Sequence, residues 1–186
     1  MDVSVEHTGG SVRLRDLRPE DEPAVLDLFG ACSDWFRAAF GQPSGPGDVQ
    51  SLYYALPEGC APDQKRLLVA ETADDGVAAL IDLVLGHPSG NECTVGAFLV
   101  APACRHQGLG TALARTLREE AAHRGIVRVH TTVTDGWESG TAFLRALGFH
   151  VSEAAVAPGG NRNLGPGERG VRRATLSLQS APAAEN

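Results

Sequence analysis

The sequence lacks several features that mark large classes of proteins. It has no apolar run of 18 residues for a membrane span, and its start, with Asp2, Glu6 and His7, lacks the basic and then apolar order of an export signal. It has no long basic run, and 23 acidic residues against 16 Lys and Arg give a net charge of −7. We therefore expect a cytoplasmic protein with no membrane and no nucleic-acid partner, whose charge favours a cationic small molecule.

Cysteine is scarce and scattered. The four cysteines form no C-x-x-C pair and have no histidine at zinc-finger spacing. A pair such as Cys104 and His106 would need two further ligands to hold a metal ion. The sequence therefore predicts free thiols and no metal site.

The chain is long enough for one domain with a sizeable core, since 42% of its 186 residues are hydrophobic. We expect a flexible N-terminus at 1–10, one folded domain at 11–178 and a disordered tail at 179–186.

The hydrophobic pattern alternates between periods typical of strands and of helices. Strands are predicted at 11–15, 67–72, 77–86, 92–100, 127–133, 149–156 and 171–178, and helices begin near Pro19, Gly108 and Trp137. Short turns separate the middle strands, which favours antiparallel pairing. The fold class is therefore α+β, with about seven strands.

The junction between an apolar strand and an amphipathic helix, at 98–113, is the most informative segment. Its loop holds Gly108 and Gly110, which let a ligand approach the backbone, and the helix start offers unpaired N–H groups and a positive dipole end. Arg105 can add a bidentate contact to an anion. The order R-x-x-G-x-G lacks the third glycine of a dinucleotide site and the Lys-Ser/Thr of a P-loop, so both of these sites are disfavoured. The segment still predicts a pyrophosphate site at the start of the helix.

Three motifs in this order resemble the GNAT superfamily of N-acetyltransferases. The run V-x-P-x-x-R-x-x-G-x-G from Val100 to Gly110 is similar to its acyl-coenzyme A (acyl-CoA) motif, and segments at 13–21 and 142–149 are similar to its opening and closing motifs. The resemblance covers 11–178. It implies a GNAT-like single domain, with a mixed, mostly antiparallel central sheet flanked by helices, and acetyl-CoA as the acyl donor.

The resemblance also implies a set of binding residues. Backbone groups of Phe98, Leu99 and Val100 would bind the pantetheine arm, and the Val100 N–H would polarise the thioester carbonyl. Ser139 stands where the family often has an asparagine that touches the cofactor. The loop amides that would cradle the pyrophosphate belong to Arg105, His106, Gln107, Gly108, Leu109, Gly110 and Thr111.

One position departs from the family in a way that affects the chemistry. The family often has a tyrosine, acting as general acid toward the leaving thiolate, where this chain has Leu144. Tyr53 and Tyr54, in the most aromatic part of the chain, are replacements if that segment folds over the site.

A general base is needed because an alkyl amine, with a pKa of about 10.4, is almost fully protonated near neutral pH. Glu92 shares a strand face with Thr94, where many family members have a glutamate, and with Gly96. Asp82 lies within an apolar strand and must face a cleft, an interface or water, since unpaired burial is expensive. Glu92 and Asp82 are the catalytic candidates, whereas His130 is more typical of a polar-face or core residue.

The motifs together predict an acetyltransferase that moves an acetyl group from acetyl-CoA to an amine of a small molecule or to an exposed amino group. The acceptor is expected to be cationic, and a homodimer is left open. The alternative is a non-catalytic or weakly catalytic acyl-CoA-binding sensor, which Leu144 and the uncertain base favour.

Overall fold

The computed structural model describes residues 1–74, 76–158 and 169–178, so the predicted tail at 179–186 lies outside the described residues. No helix in these ranges is long and apolar enough to cross a bilayer. The elements are β1 (Asp2–His7), β2 (Gly10–Asp16), α1 (Glu22–Ala31), α2 (Ser33–Phe40), α3 (Gly47–Tyr54), β3 (Lys65–Glu71), β4 (Val77–Leu85), β5 (Glu92–Val100), α4 (Leu109–His123), β6 (Arg128–Thr134), α5 (Glu138–Ala146), β7 (His150–Val156) and β8 (Val171–Ser177).

The strands form one sheet in the order β1-β2-β3-β4-β5-β6-β8-β7. Among the described strands, β5 and β6 pair in parallel and every other neighbouring pair is antiparallel. The α+β class and the mostly antiparallel sheet are confirmed. The described residues hold eight strands rather than about seven.

The eighth strand is β1, in the segment that we expected to be flexible. Residues 1–10 instead form the first half of a hairpin, in which Val5 pairs with Val12 and Asp2 pairs with Arg15. Val5 is buried against the core, and this burial offsets the entropy lost on ordering the segment. The expectation of a flexible N-terminus is therefore corrected.

Helices cover the sheet on both faces. On one face α4 packs against β1 to β4, burying Leu14, Ile81 and Leu113. On the other face α1, α2 and α3 pack against β3 to β5, with Phe29 and Leu80 in their shared core. Strand β4 is buried on both faces, which explains its almost unbroken apolar sequence.

A buried ion cluster fixes α1 to the sheet. The Arg15 side chain, 5% exposed, donates to both carboxylate oxygens of Asp21, at 2.7 and 2.8 Å, and to Glu71. Asp21 immediately precedes α1, while Glu71 ends β3. Hydrogen bonds from Arg15 lower the pKa of both carboxyl groups.

We expect Arg15→Met to lower the free energy of unfolding by about 3 kcal/mol at pH 7, because it leaves a buried carboxylate without its cation. The pairing stabilises the fold above the ordinary carboxyl pKa of about 4 and is lost as the pH falls through the lowered pKa values, so the deficit should narrow in acid. Urea denaturation at several pH values measures it. Arg124→Met, which breaks the exposed pair with Glu120 on α4, is the control and should cost much less.

Candidate active site

The sheet opens between its two parallel strands. Strands β5 and β6 pair over three positions, ending at Thr94 and His130, and the Thr131 hydroxyl then donates to the Val95 carbonyl at 2.9 Å. Beyond this point the ladder stops although both strands continue. The Ala101 N–H bonds to Ala78 on β4, so the backbone groups of Val100 and Phe98, on alternate positions, point toward the gap.

The predicted loop leads from the end of β5 into α4 beside this gap. Ala112 donates the first intrahelical bond, to the Gly108 carbonyl at 2.9 Å, so the N–H groups of Leu109, Gly110 and Thr111 have no carbonyl partner within the helix. His106, Gln107 and Gly108 are exposed just before them. The arrangement is a helix N-terminus that can receive an anion.

The structure requires glycine at the two loop positions for different reasons. Gly108 has φ +76°, in the left-handed region, and a Cβ there would lie 3.3 Å from the Thr8 hydroxyl. A Cβ on Gly110 would lie 3.2 Å from the Phe143 ring and 3.7 Å from the Val100 side chain, so glycine permits a close approach of α4 to α5 and β5.

The Arg105 side chain is placed differently from the expectation that it would meet a pyrophosphate. Its guanidinium donates to both oxygens of Asp34 on α2, at 2.5 and 3.1 Å, and its Nε donates to the Val100 carbonyl at 2.9 Å. The hydrogen bonds from Arg105 lower the pKa of Asp34. The Arg105 N–H donates to the Pro102 carbonyl at 3.3 Å, so its side chain and its amide both have protein partners, and its contact with a pyrophosphate stays a prediction.

A cavity of about 590 Å³ occupies the gap and extends between α4 and α5. Its walls are largely apolar, and it reaches the aromatic side chains Trp35 and Phe40 of α2 on the opposite face of the sheet. Its lining residues include Gly96, Phe98, Thr131, Gly140, Phe143 and Leu144.

Asp82 lies beside the cavity, behind Gly96. A bulge at this point pairs Asp82 with Ala97 and Leu83 with Val95, and a Cβ on Gly96 would lie 3.0 Å from Asp82 Oδ2. Asp82 is 7% exposed, and its Oδ1 has no hydrogen-bond partner among the described residues. The absent Gly96 side chain thus leaves space at hydrogen-bond distance from the carboxylate.

Lys65 partly compensates the Asp82 charge. Its ammonium, on a side chain that is 5% exposed, lies 3.0 Å from Asp82 Oδ2 and also donates to the Ala55 carbonyl at 2.6 Å. Burial raises the pKa of Asp82, and the hydrogen bond from Lys65 opposes that rise.

Glu92 lies on the same face of the sheet but has other partners. One carboxylate oxygen accepts from Arg128 at 3.1 Å and the other lies 2.9 Å from His130 Nε2, across the short parallel ladder. Thr94 is bonded to the His87 ring at 2.9 Å. These contacts form a polar cluster at the point where the two strands separate.

The remaining predicted residues lie at varied distances from this centre. Ser139 is exposed in the first turn of α5, and Leu144 packs with Val133 and Val151. Tyr53 and Tyr54 end α3, and neither lines the cavity. All four cysteines are free thiols, and the described residues contain no group of His, Cys, Asp and Glu able to hold a metal ion.

The comparisons with known proteins decide the family. A model of the acetyltransferase (GNAT) family matches residues 29–149, which is more than half of the chain. The chain belongs to the GNAT family. No curated protein sequence matches the chain.

Solved structures show the same GNAT fold. The GNAT domain of S. lividans PAT is 18% identical, with a TM-score of 0.69 over 95% of this chain and 97% of that chain. An acetyltransferase from Thermus thermophilus is 20% identical, with a TM-score of 0.64 over 95% and 100%. The ribosomal-protein-S18-alanine N-acetyltransferase from Escherichia coli is 18% identical, with a TM-score of 0.61 over 93% and 97%. At these identities the similarity establishes the fold alone.

Sequence reasoning missed Lys65 and Asp34. Lys65 opens β3 after a Pro-Asp-Gln turn, and its partner Asp82 is 17 residues away. Asp34 is 71 residues from Arg105. The one available signal was Asp82 itself, because a carboxylate in an apolar strand requires a buried cation or an opening.

We expect Lys65→Met to destabilise the fold by about 3 kcal/mol at pH 7, because Asp82 loses its cation. The loss should shrink as the pH falls, since protonation through the raised pKa removes the buried charge. The double variant Lys65→Met/Asp82→Leu should regain wild-type stability or exceed it. Urea denaturation of the three proteins measures this, and a double variant no more stable than Lys65→Met would show that the pair itself holds the fold together.

Proposed function

We propose that this GNAT protein transfers an acetyl group from acetyl-CoA to an amine of a small molecule or to an exposed amino group. The observation that carries the proposal is the buried carboxylate of Asp82, whose Oδ2 lies next to Gly96 in the wall of the cavity and whose Oδ1 has no hydrogen-bond partner among the described residues. A domain that only sensed acyl-CoA would need the loop and the gap but no such group.

The residues present fit acetyl-CoA. The amides at 106–111, at the start of α4, suit a pyrophosphate. Because Gly110 has no side chain, α4 lies close to Phe143 of α5 beside this site. Arg115 and Arg118 of α4 also line the cavity and offer cations to phosphate groups. The backbone of Phe98 and the N–H of Val100 face the gap, as the binding of an extended pantetheine arm requires, while the Val100 carbonyl accepts from Arg105.

The proposed chemistry assigns Asp82 as general base. When bound, acetyl-CoA would supply the thioester: its carbonyl–sulfur bond breaks as the acetyl group passes to the amine nitrogen, and coenzyme A leaves as a thiolate that solvent protonates. The Asp82 carboxylate accepts the proton that the amine must lose, directly or through a water in the space at Gly96, and Lys65 keeps the carboxylate in place. Glu92 is the second candidate, in contact with His130 and Arg128.

The acceptor is proposed to be a cationic amine. An ammonium group near Asp82 would meet a carboxylate, and the aromatic rings of Trp35 and Phe40, which line the cavity where it meets α2, suit a cation or an apolar body. The net charge of −7 would attract such a molecule. A cytoplasmic location and a homodimer stay predictions.

Acetyl-CoA at about 100 times its dissociation constant should stabilise the protein by roughly 2.7 kcal/mol. We expect Gly108→Val to abolish most of this gain, because the side chain strains a left-handed loop position and crowds Thr8. Gly125→Val is the matched control, since Gly125 has φ +73° at the other end of α4 with open space around it. Thermal unfolding with and without acetyl-CoA measures both, and a wild-type protein that the ligand does not stabilise would sink the proposal.

Asp82→Asn should lower the turnover number about 100-fold near neutral pH, the low end of what a positioned base contributes. Much of the loss should return at high pH, where the amine is already neutral. In the unsubstituted protein the rate should fall as the pH drops through the raised pKa of Asp82, since the protonated carboxyl cannot accept a proton. Thiol release with a panel of amines measures the profile.

Glu92→Gln is the paired comparison, because it makes the same change at the other candidate. A profile altered in Glu92→Gln and not in Asp82→Asn would move the role of base to Glu92. If neither variant alters the profile, positioning of the two substrates supplies most of the rate. Binding of acetyl-CoA without amine-dependent thiol release would support the sensor alternative.

A further inference from the structure

The guanidinium of Arg105 is a junction between three parts of the site. Two of its nitrogens bind Asp34 in the first turn of α2, and Nε binds the carbonyl of Val100, the last residue of β5. The Cys32 thiol, where α1 meets α2, lies 3.5 Å from the same carbonyl and 3.7 Å from Arg105 Nη2. The Arg105 side chain therefore joins the loop, the end of β5 and α2.

The loop that Arg105 opens needs external support. His106 has φ +60° and Gly108 has φ +76°, so a non-glycine residue sits in the left-handed region two positions before a glycine that also occupies it. Glycine adopts this conformation freely, but at His106 it persists only where surrounding contacts hold it. The contacts of Arg105 to Asp34 and Val100 are anchored outside the loop and lie next to the strained residue.

We propose that Asp34 and Arg105 form a positioning pair that holds the loop in its binding-competent shape and ties it to α2, which carries Trp35 and Phe40. In this role Arg105 does not contact the pyrophosphate. The inference rests on the proposed function, because the ligand that the loop would bind is acyl-CoA.

The two roles of Arg105 predict opposite effects of one substitution. Asp34→Asn releases the guanidinium from its anionic partner. If Arg105 met the phosphates directly, the released cation would bind coenzyme A (CoA) as tightly as before or more tightly. If the pair positions the loop, a smaller fraction of molecules has the competent loop, and the apparent affinity falls by that fraction.

The experiment measures CoA binding by calorimetry to the full chain and its Asp34→Asn, Arg105→Gln and double variants. We expect each single variant to weaken binding roughly 3- to 10-fold, the range that the loss of one typical hydrogen bond produces. The double variant should be no worse than the singles, because both remove one interaction. Asp2→Asn is the matched control, since Asp2 forms an equally bidentate pair with Arg13 at the end of the β1–β2 hairpin away from the turn that touches the loop, and the affinity of this variant for CoA should be unchanged.

Amide hydrogen exchange at 105–111 without ligand is the second readout. Exchange should be faster in Asp34→Asn than in Asp2→Asn, by more than any difference in overall stability between the two variants explains. Unchanged or tighter CoA binding in Asp34→Asn, with weaker binding in Arg105→Gln, would overturn the inference, and so would unchanged exchange. Failure of the unsubstituted protein to bind CoA would instead overturn the proposed function.

Discussion

The parallel pairing of β5 and β6 is the constraint on which the rest of the site depends. Parallel neighbours cannot be joined by a tight turn, so the chain crosses between them through α4. The crossover brings the end of β5 and the start of α4 to the same end of the sheet. Because the ladder stops after three pairs, that end is also where backbone groups of β5 are left to the cavity. The anion site and the gap thus have one topological cause.

The bulge at Gly96 places a carboxylate beside this opening. It shifts the register between β4 and β5, so that Asp82 lies behind a position without a side chain. Burial of a carboxylate is costly, and the pairing with Lys65 recovers only part of that cost. Apolar residues at 65 and 82 would suit the core of the sheet at least as well. The stability of the fold alone therefore explains the Lys65–Asp82 ion pair poorly, whereas the proposed proton transfer would use it.

The sequence predicted the parts of the site that are local along the chain. Gly108 and Gly110, the apolar strand before them and the amphipathic helix after them occupy 98–113, and each follows from short-range rules of turns and periodicity. The pairs Asp82–Lys65 and Arg105–Asp34 depend on strand register and helix packing, which no spacing rule supplies. Strand β1 was missed because its alternation is short and precedes a glycine pair, and its stability comes from Val5 meeting Val12 and α4.

In the proposed reaction a general base is needed more than a general acid, which is consistent with leucine rather than tyrosine at 144. An ordinary thiol has a pKa of about 8.5 and an alkyl amine one of about 10.4. Near neutral pH, removing the proton from the amine therefore costs more free energy than releasing the thiolate without a proton. Since one pKa unit corresponds to about 1.4 kcal/mol, removing the amine proton is the larger task by nearly 3 kcal/mol. Leu144 contributes to the packing of α5 on the sheet, while Asp82 remains beside the cavity. A site with a buried carboxylate and no acid at 144 matches this asymmetry.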